Sequence, residues 1–416
     1  MRKILPLLSL LLFTLTILAN GNEHLVNNPY ASVFRKAYSL NPSIPKGVLE
    51  SVAWSQSRFA DLNMNGAEPS CIDYPTAYGV MGLTEDGKGY FRNNLIAVSQ
   101  LSGYPVQDIK SNPEKNILAY AKAFSVLQQQ KQVYGNNLAD YQVIFIALSE
   151  LPLTNDLQND FAINAHLYQL YWVLANGELQ DFYGFPDYQI DLKTIFGNNY
   201  HVLSASSVVI SSQTVSNGLG NTYQATHVSN AVASVDYGPA LSNFTTCNYS
   251  SRSGTAISAV AIHFVQGSYA GCISWFKNCS ASASAHYVIR SSDGQVTQMV
   301  LESNKAWHIG SENPYTLGTE HEGYINNASW YTNAMLQSSA DLTRDMCISN
   351  GINPLRCYNG PGCSGTTQQC QQGSCVKIKG HQMFPGQTHT DPGPYWNWDK
   401  FYKLLNNAPV ITTVTA

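Results

Sequence analysis

The sequence predicts two folded units, a mostly helical one over residues 24–204 and an α/β one, a mixed central sheet with flanking helices, over residues 236–405. Three observations predict this. Helix-period apolar patterns run from about 30 to 200, a Ser-, Thr- and Asn-rich stretch with almost no charge follows, and strand and helix patterns mix beyond it.

Arg2 and Lys3 precede an apolar run, Ile4 to Leu18, that ends at Ala19 before the polar Asn20-Gly21-Asn22-Glu23. A basic start, a short apolar core and a small residue at the exit describe a secretory signal peptide over 1–19. A retained anchor is the alternative, but the run is too short to span a bilayer comfortably. Export to the periplasm, cell surface or medium, with no membrane anchor, is therefore expected.

In the first unit, Pro45 opens a segment whose Val48, Val52 and Phe59 share a helical face, and Glu114–Tyr134, Tyr141–Leu151 and Phe161–Leu174 carry further amphipathic patterns. Asn63 to Asn94 is turn-rich. Residues 205–235 read as a linker. In the second unit, Ser258–Val265 is nearly all apolar, as in a strand buried on both faces. Ala285–Arg290 and Gln295–Leu301 flank a Ser291-Ser-Asp-Gly294 hairpin signal, Tyr315–Tyr324 reads as a strand, and Asn333–Asn350 as a helix stopped by Gly351. Trp398–Leu405 closes the unit as a short amphipathic helix.

Charged residues make up 12% of the chain, the net charge is −4, and no Lys/Arg stripe forms. That excludes ordinary nucleic-acid binding, which depends on neutralising phosphates. A near-neutral surface with 25 Tyr and 7 Trp suits a glycan, on whose sugars flat rings stack. A monomer is expected. Cys71 stands alone, while eight cysteines, Cys247 to Cys375, fall in the last 170 residues. In an oxidising compartment this implies disulfides in the C-terminal half, with Cys71 the free thiol. Cys357–Cys375 looks like an insertion; a zinc knuckle is the alternative, but the run holds no Cys-x-x-Cys pair.

Six of the ten histidines lie between 263 and 389. His263 interrupts the apolar strand, and His381 follows Gly380 after a short Val376–Lys379 strand. Ten residues on, Asp391 sits in Asp391-Pro-Gly393, a tight-turn signal that could fold it back towards His381. Two imidazoles and a carboxylate form a catalytic zinc set with one position left for water.

The surrounding words occur in a fixed order: Ala261-Ile-His-Phe264, Ser284-Ala-His-Tyr-Val-Ile289, Ala306-Trp-His-Ile-Gly310, Gly318-Thr-Glu-His-Glu-Gly323 and Gly380-His381…His389-Thr-Asp-Pro-Gly-Pro394. That order resembles the type-2 N-acetylmuramoyl-L-alanine amidases, relatives of the animal peptidoglycan recognition proteins. The resemblance covers about 236–405 and implies one zinc (Zn2+) held by His263, His381 and Asp391, with Glu320 as the catalytic carboxylate. It implies hydrolysis of the amide between N-acetylmuramic acid and L-alanine, with peptidoglycan, glycan strand and peptide stem, as the partner. Many members carry a lysine where this chain has His389, which becomes the candidate oxyanion donor; its alternative role is as a ligand. Trp307 and His308 are implied to line the substrate groove, His286 reads as structural, and Glu322 is the alternative base. His321 should point to the face opposite Glu320. Relatives also carry a short disulfide loop after the first ligand strand, which implies Cys272–Cys279.

Ile44 to Phe59 and Ala77-Tyr-Gly-Val-Met-Gly-Leu83 are similar to segments of lysozyme-like lytic transglycosylases. Their helix ends in Glu-Ser-x-Phe, whereas here Gln56-Ser57-Arg58-Phe59 replaces the acid by an amide. Glycosidic cleavage needs an acid to protonate the leaving oxygen, so this resemblance implies a glycan-holding cleft with Gln56 on its floor and no catalysis. A non-catalytic wall-binding protein and a two-activity enzyme are the competing readings; a zinc peptidase lacks its His-Glu-x-x-His helix.

Overall fold

The computed structural model describes residues 25–62, 68–154, 156–206, 208–210, 215–217, 220–223, 241–242, 247–354 and 376–407. The expected signal peptide and the Cys357–Cys375 insertion lie outside the described residues.

The first unit is helical. Val48–Ser57, Pro113–Lys131 and Leu157–Ala175 are its principal helices. Pro113 starts the second where a missing N–H costs nothing, and the Asn112 side chain accepts from the Lys115 N–H. Leu157–Ala175 is buried almost all round because two units use it: one side packs on Val48–Ser57, another on Tyr269–Lys277 of the second unit.

The second unit is built on a mixed sheet, ordered Ile378–Gly380, Ala259–Phe264, Thr316–His321, Tyr287–Ile289, Val296–Gln298, Leu241–Ser242 among the described residues. The first four strands run parallel and Val296–Gln298 returns as the expected hairpin. Every residue of Ala259–Phe264 and Thr316–His321 is buried, which explains why their sequences do not alternate. Asn333–Ser349 and Trp398–Asn407 pack together beside the sheet.

Two expectations need correction. The 205–235 stretch is not simply a linker: Val208–Ile210, Val215–Asn217 and Thr222–Tyr223 pair as an antiparallel sheet, and the Tyr223 ring packs on Phe161. Nor are the two units separately packed. One buried cluster runs from Phe34 through Tyr74 and Phe91 to Trp275 and Val300. Phe91 stacks on Trp275 at 5.7 Å, and the buried Arg58 guanidinium lies between the rings of Trp54 and Trp330, 3.4 and 4.0 Å from their centroids. Pattern reading saw two periodicities but not the face they share.

The Cys272–Cys279 pairing is also corrected. Cys279 bonds Cys247, with Cα atoms 5.5 Å apart, while Cys272 is a free, buried thiol within the Tyr269–Lys277 helix. The helix points Cys272 into the core and leaves Cys279, beyond its end, facing the incoming Cys247 segment. Closing a 32-residue separation should stabilise the fold by about 3–4 kcal/mol. Non-reducing peptide mapping should recover Cys247 joined to Cys279, and Cys247→Ser should lower stability in chemical denaturation by a comparable amount. Recovery of Cys272 joined to Cys279, or of Cys279 as a free thiol, contradicts this arrangement.

Candidate metal centre

Register builds the site. Glu320 lies directly opposite His263 on the neighbouring parallel strand, so both side chains project from one face. Gly380 pairs with Ile262, which sets the next residue, His381, beside His263. The turn closed by the Gly393 N–H to the Thr390 carbonyl folds Asp391 back, and the Asp391 carbonyl accepts from the Gln382 N–H at 3.2 Å. His263 Nδ1 is 3.1 Å from His381 Nδ1 and 3.2 Å from Asp391 Oδ2, and His381 Nδ1 is 3.2 Å from Asp391 Oδ1.

The outer nitrogens settle which atoms face inward. His381 Nε2 donates to Gln387 Oε1 at 2.8 Å, so its Nδ1 presents a lone pair. The Thr316 hydroxyl donates to the Glu312 carbonyl and therefore accepts from His308 Nε2 at 3.2 Å. His308 Nδ1 then accepts from His263 Nε2 at 2.9 Å, leaving His263 Nδ1 unprotonated. Partners of this kind fix tautomer and ring orientation in metal sites. Gly318 makes room for the chain of bonds, since a Cβ there would lie 2.4 Å from the His308 ring.

Burial holds the His263 imidazole down to about 4, and burial with the neighbouring imidazoles pushes His308 well below its ordinary value. Burial works against charge at Asp391, and a proton on a facing ring nitrogen is what lowers its pKa; with those nitrogens presenting lone pairs, a cation has to take that part. Burial, then the Asp391 charge, push Glu320 well above the carboxylate range. Two converging lone pairs beside an ionised carboxylate call for a cation. Asp391 Oδ1 and Glu320 Oε2 are buried with no hydrogen bond of their own. The donors present, imidazole nitrogen and carboxylate oxygen, suit zinc.

A fourth donor joins the three expected ligands. The Sγ of Cys71 is 3.9 Å from His263 Nδ1, 3.9 Å from Asp391 Oδ2 and 3.7 Å from Glu320 Oε1. Ligand atoms of Cys71, His263, His381 and Asp391 all lie within 4.8 Å of one another. Sequence reasoning had Cys71 only as a free thiol and missed its place here. The signal available was an unpaired cysteine in a chain expected to be exported.

The remaining candidates divide. His389 stands at the rim, its ring centroid 5.3 Å from that of His381, with Nδ1 3.2 Å from the Glu68 carboxylate. His308 is corrected from a groove residue to a buried partner of His263; at 4% exposure it offers no wall to a substrate. Trp307 is partly exposed, and its indole donates to Ser250 Oγ at 3.1 Å. Glu322 accepts from the Tyr269 and Ser291 N–H groups, a structural role. His321 points away, bonded to the His263 carbonyl and Ser339, and His286 is buried beside Arg252. Gln56 is corrected most. The space it lines with Glu150 and His166 is about 10 Å³, far below a sugar ring, and its amide contacts His166 at 3.3 Å. A cavity of about 770 Å³ lies elsewhere on the helical unit, beside Tyr38 and Phe185.

A mixed sheet with two histidines, an aspartate and a glutamate on one face defines a metal-hydrolase type of centre. The N-acetylmuramoyl-L-alanine amidase family profile matches residues 253–394, a span that takes in His263, Glu320, His381 and Asp391. The chain is 45% identical over 174 residues to N-acetylmuramoyl-L-alanine amidase A of Achromobacter lyticus, 41% of this chain and 96% of that protein. It is 28% identical over 131 residues to 1,6-anhydro-N-acetylmuramyl-L-alanine amidase AmpD of Escherichia coli (strain K12), 30% of this chain and 58% of that one. A solved selenomethionine AmpD derivative aligns with a TM-score of 0.32 and 21% identity, over 42% of this chain and 99% of that chain. This chain belongs to the N-acetylmuramoyl-L-alanine amidase family.

Removing an outer partner should loosen the ligands without touching them. Gln387→Ala and His308→Ala are each expected to weaken metal binding by about 10–100-fold in competition with a chromophoric chelator. Unchanged affinity in both contradicts the tautomer assignment.

Proposed function

We propose that this chain is a zinc-dependent amidase that hydrolyses the bond between N-acetylmuramic acid and the L-alanine of the peptide stem in peptidoglycan. The observation that carries the reading is the meeting of His263, His381 and Asp391 with Glu320 on one sheet face, inside the span matched by the family.

His263, His381 and Asp391 would hold the ion, which when bound supplies Lewis acidity to a water and to the scissile carbonyl. Glu320 does the proton work. Its Oε2 has no other partner and its burial favours holding a proton, so it can take one from the attacking water and pass it to the alanine amine as that leaves. His389, at the rim, is the donor proposed to face the oxyanion. His308 and Gln387 keep the two imidazoles in place.

The helical unit is proposed to be non-catalytic towards glycans. Gln56 has no transferable proton, and the niche before it is closed. Its similarity to lysozyme-like proteins remains a proposal about ancestry of the fold, supported by the two sequence segments alone. Export is proposed on the leader, and it fits a wall substrate and the Cys247–Cys279 disulfide.

Glu320→Gln should keep its metal and lose about 100- to 10,000-fold in turnover of purified cell wall. His381→Ala should lose most of the metal as well, read by elemental analysis. A Glu320→Gln variant with normal turnover removes Glu320 from the mechanism, and a fully loaded, fully active His381→Ala removes the ligand set.

A further inference from the structure

The stretch 68–76 of the helical unit runs past the metal centre, and several of its contacts fall on the second unit around that centre. The Glu68 carboxylate accepts from the Thr390 N–H at 2.7 Å, contacts the Thr390 hydroxyl, and meets His389 Nδ1 at 3.2 Å. The Ser70 hydroxyl donates to the Val265 carbonyl at 2.5 Å, two residues past the ligand His263. The Ile72 carbonyl accepts from the Trp275 indole N–H at 2.8 Å. Tyr74, 7% exposed, seats its ring in a notch that only glycines leave open. A Cβ at Gly271 would come within 1.9 Å of the Tyr74 hydroxyl oxygen, and one at Gly267 within 2.7 Å of the ring. Between these anchors Cys71 is carried to the cluster, 3.7–3.9 Å from Glu320, His263 and Asp391.

A placement fixed by contacts on both sides is not incidental. Catalytic zinc sites keep a fourth position open, whereas four protein ligands close a site into a structural one. A thiolate is a stronger zinc ligand than water, and here it lies 3.7 Å from the Glu320 carboxylate as well. Glu68 meanwhile occupies His389. The same nine residues therefore reach the fourth metal position, the catalytic carboxylate and the oxyanion donor at once.

Resting on the zinc-amidase reading, we propose that Cys71 is the fourth metal ligand and that residues 68–76 hold the full chain in a latent state. The helical unit is then an intramolecular cap on the amidase unit, and substrate competes with it for the same face. The turnover of the resting chain is set by the small fraction with the segment lifted.

The ligation is read without activity. The full chain loaded with Co2+ should show a thiolate-to-cobalt charge-transfer absorption that Cys71→Ala lacks while still binding the ion. In the zinc-loaded wild type, Cys71 should resist alkylation and become reactive when a chelator is added. Absence of the band from the loaded wild type, or alkylation of Cys71 at the same rate with and without metal, overturns the ligation. For latency, the full-length Cys71→Ala/Tyr74→Ala variant should digest cell wall at least about tenfold faster than wild type at equal metal content. A metal-loaded double variant no faster than an active wild type overturns latency and leaves the amidase reading standing. If the band is present but no variant or wild type releases stem peptide, ligation by Cys71 stands and the amidase reading falls.

Discussion

Everything in the second unit is arranged around one electrostatic demand: two unprotonated imidazole nitrogens and an ionised carboxylate are packed together out of water. Alone, such a group repels itself and forfeits hydration, which makes it expensive unless positive charge sits among its members. The surrounding structure accepts that cost deliberately. Parallel pairing aligns His263 with Glu320, a short edge strand delivers His381, a turn returns Asp391, and hydrogen bonds through His308, Thr316 and Gln387 fix which nitrogen faces in. A single rotated ring would present an N–H to the cation and lose the ligand. The fully buried strands on either side supply the stiffness that keeps those rings from turning.

Much of this was legible from residue order. A histidine inside an apolar strand is conspicuous because burial of a polar ring needs a reason, and the Asp-Pro-Gly turn announces its own geometry. What the chain order could not convey was the partner of each outer nitrogen. His308 belongs to a motif that also names Trp307, so both looked like groove residues; only three-dimensional packing separates a buried hydrogen-bond acceptor from a half-exposed ring. The disulfide was misread for a related reason. The resemblance implies Cys272–Cys279 through the short disulfide loop of the relatives, but a helix sets the direction of each side chain, and Cys272 points inward.

The helical unit was the less readable half. Its helices follow from their periodicity, but the two motifs that resemble glycan-cleaving enzymes say nothing about whether a cleft is open, and here the space at Gln56 is closed. Its more consequential feature was hidden in a turn-rich stretch with no periodic signal. Glu68, Cys71 and Tyr74 matter because of what they touch in the other unit, and contacts between residues some 200–300 positions apart leave no mark on local pattern. The shared core of Tyr74, Phe91 and Trp275 makes the same point energetically. Burying several aromatic rings between the units favours the docked state over a loose tether, so the cap is part of the folded molecule.

The central claim is that water is added across one amide bond, between the lactyl carbonyl of muramic acid and the alanine nitrogen. Digestion of purified peptidoglycan in 18O-labelled water, followed by mass spectrometry of the products, locates that bond directly. The account predicts heavy oxygen in the lactyl carboxylate of the glycan product and stem peptides with unlabelled, free alanine amino groups. Heavy oxygen at a sugar reducing end, or anhydro-sugar ends with the stems still attached, contradicts it.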